Sequence, residues 1–125
     1  MTDATYATVT PYLVVDNADA LLDFVKRAFD ATEQLCQRNA DGTVAHAEMR
    51  IGDSLIMVGQ AGGQWPARAA ALYLWVDDVD ETYRRSLAAG AKSESVPEDK
   101  PYGQRMAGVD ICGVTWWMAS PLRAA

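Results

Sequence analysis

The strongest constraint on the fold is that the chain repeats itself. Tyr12-Leu13-Val14-Val15-Asp16 aligns with Tyr73-Leu74-Trp75-Val76-Asp77 at an offset of 61 residues, and Asp19 then falls on Asp80. After a one-residue gap, Ala28 and Ala31 fall on Ala88 and Ala91, and residues 51–58 lie over 111–118 at an offset of 60. Ordered matches at near-constant spacing mark one supersecondary unit used twice. The copies run from about 7 to 61 and from about 68 to 121, within a single domain of 125 residues. Residues 60–70 (QAGGQWPARAA) read as the linker.

Both copies share one internal grammar. Residues 8–15 (TVTPYLVV) and 71–76 (ALYLWV) are short runs of β-branched and aromatic residues, as strands favour. Each is followed by Asp and Asn side chains suited to capping a helix N-terminus. Leu21, Leu22, Val25 and Phe29 recur at helical spacing in 18–29, as do Val79, Tyr83 and Leu87 in 79–89. Asp30 and Gly90 stand where those helices should stop. Three short strands are expected after each helix, near 32–38, 43–51 and 54–59, and near 92–96, 104–110 and 114–119. The prediction is an α+β fold of two βαβββ modules forming a curved mixed sheet around a cleft, because one helix can cover only one face of its sheet.

Strand alternation assigns the faces. Leu13, Val15, Leu72, Leu74 and Val76 should lie under the helices, with Ile56, Val58, Trp116 and Met118. The opposite face takes Thr10, Tyr12, Val14, Ala71, Tyr73 and Trp75, together with Leu55, Met57, Thr115 and Trp117. That makes the expected ligand surface strongly aromatic. On 43–51, His46, Glu48 and Arg50 share this face, while Ala45, Ala47, Met49 and Ile51 share the other. A neutral His46 beside a Glu48 carboxylate suits a general base, and the same stripe also suits a structural hydrogen-bond ladder.

Charge and cysteine count remove several function classes. Seventeen acidic against eleven basic residues give a net charge of −6, with no Lys/Arg cluster, so nucleic acid is not an expected partner. No run approaches the roughly 18 apolar residues of a membrane span, and the first residues carry no secretory pattern, so a cytoplasmic protein without a membrane partner is expected. Two cysteines and one histidine lack the spacing of a structural zinc site. Cys112 reads as a small buried hydrophobe rather than a nucleophile.

The duplicated units, the segments HAEMRIGDSLIMV (46–58) and LYLWVDDVDETYRRSLAAGA (72–91), and PEDKPYGQR (97–105) resemble the glyoxalase/bleomycin-resistance/extradiol-dioxygenase, or vicinal oxygen chelate, superfamily. The subgroup most resembled is the PhnB-like proteins. The resemblance spans roughly 110 residues and implies a homodimer with a ligand cleft. The superfamily's metal enzymes take ligands from positions that fall here on Thr10, Met57, Ala71 and Trp117, which leaves no competent metal set and implies no cofactor. Tyr102 and Arg105 match the family's Tyr-Gly-x-Arg loop, so Tyr102 is expected to stack on a ligand and Arg105 to pair with an anionic one, the alternative being a solvated turn.

Three functions remain open on the sequence. The first is a metal-independent small-molecule binder that sequesters a planar aromatic compound or antibiotic through Tyr12, Met57, Tyr73, Trp75, Tyr102, Arg105 and Trp117. The second is a cofactor-free isomerase or lyase using His46 and Glu48. The third is a non-catalytic dimeric scaffold whose tryptophans fill the cleft.

Overall fold

The computed structural model describes residues 6–122. The chain divides into two compact units, residues 1–68 and 69–125. The first contains β1 (Tyr12–Val15), α1 (Ala18–Phe29), β2 (Thr32–Arg38), β3 (Val44–Ile51) and β4 (Ser54–Gln60). The second contains β5 (Ala70–Trp75), α2 (Val79–Ala88), β6 (Lys92–Lys100), β7 (Gln104–Ile111) and β8 (Val114–Pro121). Each unit is βαβββ with its own four-stranded mixed sheet, ordered β1-β4-β3-β2 and β5-β8-β7-β6. The first strand runs parallel to the last, and the remaining pairs are antiparallel. The α+β duplication expected from the sequence is therefore the observed architecture.

Local chemistry sets the helix limits. The Asn17 side chain accepts from Ala20 N–H at 3.1 Å, and that of Asp78 accepts from Glu81 N–H at 3.0 Å, each satisfying one of the first-turn donors a helix leaves unpaired. Asp30 ends α1 in the left-handed region, and Gly90, with φ of +107°, follows α2. One face of α1 buries Leu21, Leu22, Phe24 and Val25 against Leu13 and Val15, with Ala47, Met49, Ile56 and Val58 also in the core. Each such aliphatic side chain contributes about 1.5–3 kcal/mol by leaving water.

Five local expectations change. β1 starts at Tyr12 rather than at residue 8, with Val9 left exposed and Pro11, which has no N–H to give a ladder, just before it. β6 extends through Pro97 to Lys100, which an edge strand with a register shift between Ser95 and Glu98 tolerates. On α2 it is Ser86, not Leu87, that is buried; its hydroxyl donates to Thr82 O at 2.8 Å, so this small polar side chain reaches the sheet without an orphaned group. In β3 a register shift between the pairs Gln37–His46 and Arg38–Val44 leaves Ala45 exposed and puts Val44 in the core, the work of one bulged residue. Cys112 is likewise only half-buried. It takes φ of +55° beside Gly113 at +75° in the β7–β8 turn, and burial pushes its thiol pKa up, which disfavours the thiolate.

Candidate functional site

On the strands themselves, the register sets several of the side chains assigned to the helix-free face side by side, while Thr10 lies before β1 and on no strand. Parallel pairing sets Tyr12 beside Met57, and antiparallel pairing sets Met57 beside Glu48, so these three form one row across β1, β4 and β3. The repeat-equivalent row in the second unit is Tyr73, Trp117 and Gly108 across β5, β8 and β7.

The first unit's face is polar and connected. Glu48 is buried, at 6% exposure, and its Oε1 accepts from the Tyr6 hydroxyl at 2.7 Å. Its Oε2 lies 2.9 Å from His46 Nε2, and His46 Nδ1 lies 3.3 Å from the Tyr12 hydroxyl. A carboxylate only accepts, so Nε2 carries the ring hydrogen and Nδ1 receives the hydrogen bond from Tyr12. The Tyr12 and His46 rings sit 5.5 Å apart, tilted by 39°. The Tyr12 hydroxyl can reach this position because residue 59 is glycine: a Cβ there would stand 3.0 Å from it. His46 and Glu48, singled out in the sequence as a base and its partner, are in direct contact. Tyr6 is the member of the network that the sequence did not reveal; it lies outside both repeat copies and no periodicity points to it.

The second unit's face is aromatic. The Trp117 ring lies on Gly108 so closely that a Cβ there would be 2.5 Å from two ring carbons. Glycine is thus the complement that lets an indole lie flat on the sheet. Tyr73 stands next to Trp117 in the strand register and meets Trp75 edge-on at 5.7 Å between ring centroids, with Trp75 62% exposed. The Tyr73 hydroxyl bonds Gln104 Oε1 at 2.5 Å and approaches Met106 Sδ at 3.5 Å, and Tyr102 reaches the same sulfur at 3.6 Å. Desolvation, and to a smaller degree the neighbouring Tyr102, push the Tyr73 phenol pKa up, which keeps it a neutral donor. Trp116, one residue away, points the other way and is fully buried on the side of Val109.

Arg105 occupies a different place. Its Nε and Nη2 donate to the two Asp80 oxygens at 2.7 and 2.9 Å, and its Nη1 donates to Asp99 at 2.9 Å. This fork ties the first turn of α2 to the β6–β7 hairpin. The guanidinium holds the Asp80 carboxyl below the usual carboxylate range, and the hydrogen bonds to Asp80 and Asp99 push its own pKa upward.

The four positions that would supply a family metal are a hydroxyl, a thioether, a methyl group and an indole. Thr10 Oγ1 donates to Ala7 O at 3.4 Å, Met57 and Trp117 lie in the rows just described, and Ala71 pairs with Thr115. Such a donor set does not fit a divalent cation. Among the described residues no group of three or more His, Cys, Asp or Glu side chains is placed to hold a metal ion. No described helix is long and apolar enough to cross a membrane.

Comparison with known proteins agrees with the fold. The family model described as Glyoxalase/Bleomycin resistance protein/Dioxygenase superfamily matches residues 5–118. An uncharacterized protein of Mycobacterium bovis is 33% identical over 127 residues, covering 92% of this chain and 84% of that protein. The crystal structure of TioX from Micromonospora sp. ML1 superposes with a TM-score of 0.78 at 31% identity, covering 94% of this chain and all of that one. A PhnB protein from Bacillus cereus superposes with a TM-score of 0.71 at 17% identity, covering 91% and 99% of the two chains, a likeness of fold.

Proposed function

The chain belongs to the glyoxalase/bleomycin resistance protein/dioxygenase superfamily, and from that premise we propose that it binds a planar aromatic small molecule, of the size and shape of an aromatic antibiotic, without a metal ion. The observation that carries this reading is Trp117 lying flat on Gly108, with Tyr73 and Trp75 beside it on an exposed strand face. A flat indole backed by the sheet presents its free face to a second planar ring. Each aromatic contact of that kind contributes about 0.5–1.5 kcal/mol beyond the burial of its area.

Tyr102 and Met106 border this platform, Met106 as a polarizable filler that adapts to different ring edges. Arg105 acts at one remove, holding the hairpin on which Tyr102 is carried. Tyr12 and Met57 offer the corresponding contacts on the first unit. The PhnB-like subgroup, a homodimeric state and a cytoplasmic location belong to the same proposal. The dimer is checked by light scattering on the eluting protein.

The test is tryptophan fluorescence with naphthalene and acridine derivatives, in parallel with thermal unfolding. A ligand of the folded state quenches emission and raises the melting temperature by mass action. Both responses should be indifferent to EDTA, and Trp117→Ala should weaken binding about tenfold. Binding that requires a divalent metal, or that survives Trp117→Ala at full strength, overturns the reading.

A further inference from the structure

Four of the chain's five methionines lie among the described residues, and they fall into two pairs. Met49 and Met118 are fully buried, whereas Met57 on β4 and Met106 on β7 are each half-buried. The two reachable sulfurs differ in what surrounds them. Met57 stands between Tyr12 and Glu48 in the strand register and receives no hydrogen bond among the described residues. Met106 Sδ lies 3.5 Å from the Tyr73 hydroxyl and 3.6 Å from that of Tyr102, and both tyrosines are exposed. The Tyr73 hydrogen is engaged at the closer Gln104 Oε1, 2.5 Å away, so the hydrogen directed at the sulfur is that of Tyr102. A thioether accepts only weakly, which leaves this hydrogen free to pass to a better acceptor.

We infer that Met106 is a modification site for hydrogen peroxide, oxidised to the sulfoxide with Tyr102 as proton donor, and that the sulfoxide disables the neighbouring aromatic platform. Loss of binding rests on the reading of Trp117, Tyr73 and Trp75 as a ligand surface; the oxidation itself does not. A lone pair of the sulfur attacks one peroxide oxygen, so that an S–O bond forms and the O–O bond breaks. Tyr102 gives its hydrogen to the departing oxygen, which leaves as water, and recovers one from the oxygen now on sulfur. Sulfur is oxidised by two electrons and the peroxide is reduced by two, with no further reactant. The product carries a far stronger acceptor, and a flexible apolar filler has become a polar group. Its oxygen competes with Gln104 for the Tyr73 hydrogen and draws Tyr73 out of its edge-on contact with Trp75. Reduction of the sulfoxide restores the thioether, so the change is reversible.

The experiment exposes the full chain to hydrogen peroxide at neutral pH and follows each methionine by tryptic peptide mapping. Cleavage after Arg38, Arg50, Arg68, Arg105 and Arg123 puts Met49 and Met57 on separate peptides, and fragmentation separates Met106 from Met118 on a third. Met106 should oxidise about tenfold faster than Met57, a modest part of what a positioned proton donor supplies, and Met49 and Met118 should lag both. Tyr102→Phe keeps the ring and removes the donor, and should bring Met106 down to the Met57 rate. The Met57 rate in the same variant is the check on its fold and should not move. Equal rates at Met57 and Met106 in the parent, or a Met106 rate unmoved by Tyr102→Phe, overturns the site. The platform is read separately, by tryptophan emission and acridine titration. Oxidised parent should show shifted emission and bind acridine about tenfold less tightly, the loss of roughly one aromatic contact. Met106→Leu carries the same two cysteines and should keep one affinity before and after peroxide, whatever its starting value. A loss that Met106→Leu shares overturns the effect on the platform. A parent that never binds acridine fails the ligand reading and overturns the loss of binding with it, while the oxidation rates still decide the site.

Discussion

The two units have the same backbone topology and nearly opposite chemistry on the helix-free face. Where the first sets Tyr12, Met57 and Glu48 in a row, the second sets Tyr73, Trp117 and Gly108 at the equivalent positions. Neighbouring strands lie about 4.8 Å apart whatever their side chains, so a row across three strands has a limited volume to share. The first unit divides it between a thioether and a carboxylate. The second gives almost all of it to one indole, and the partner position is reduced to hydrogen. Duplication thus preserves the register and leaves the division of space within each row to vary. The helix starts show the same behaviour in charge: Asp19 and Asp80 are repeat-equivalent, yet Arg38 comes to Asp19 from β2 and Arg105 to Asp80 from β7.

This contrast can be pressed at three points. The largest effect should come from comparing adjacent tryptophans on β8. Trp116→Ala empties a fully buried site and should cost about 3–5 kcal/mol in urea unfolding. Trp117→Ala, on the half-exposed face, should cost less than half as much; equal losses would mean that the two faces of the sheet are packed alike. Next come the glycines that make room for aromatic rings. Gly108→Ala forces the Trp117 ring off the sheet and should cost about 1–3 kcal/mol, with a shift in tryptophan emission. Gly59→Ala meets chiefly the far end of Tyr12 and should cost less than about 1 kcal/mol.

The smallest effect is electrostatic. The arginines hold Asp19 and Asp80 below their unfolded pKa values. Each pair therefore contributes stability that is present above the ordinary carboxylate pKa of about 4 and is lost as pH falls through the lowered value. Both carboxylates are more than half exposed, so salt should weaken the effect. Acid unfolding curves of Arg38→Met and Arg105→Met should converge with the parent curve at low pH and separate from it above.

Much of this is legible in the amino-acid sequence alone. The repeat, both helices with their capping residues and the face assignment of β1, β4, β5 and β8 all follow from periods of 2 and 3.6 and from short polar side chains at helix starts. What escaped was whatever depends on one residue out of period. The Ala45 bulge turns Val44 inward without any Gly or Pro to announce it. Ser86 is buried where an apolar stripe would put Leu87, since a small side chain can hide its hydroxyl in its own helix. Of the residues picked out as functional, His46 with Glu48 and Tyr73 with Trp75 are found in contact, and Tyr12 reaches His46. Arg105, read from a loop motif, joins its own helix and hairpin, because two carboxylates 25 and 6 residues away in sequence reach it from different elements. Such distances carry no periodic signal.

The linker has a bearing on how the chain folds. After β4 it turns back at Gly62–Trp65, and the N–H groups of Ala61 and Arg68 donate to Val15 O and Val14 O, at 2.8 and 3.0 Å, on the outer strand of the first sheet. All four strands of that sheet and the segment that borders it are thus encoded before residue 69. During synthesis every strand of the first sheet emerges before any strand of the second, so its strand pairing uses no backbone from beyond residue 68.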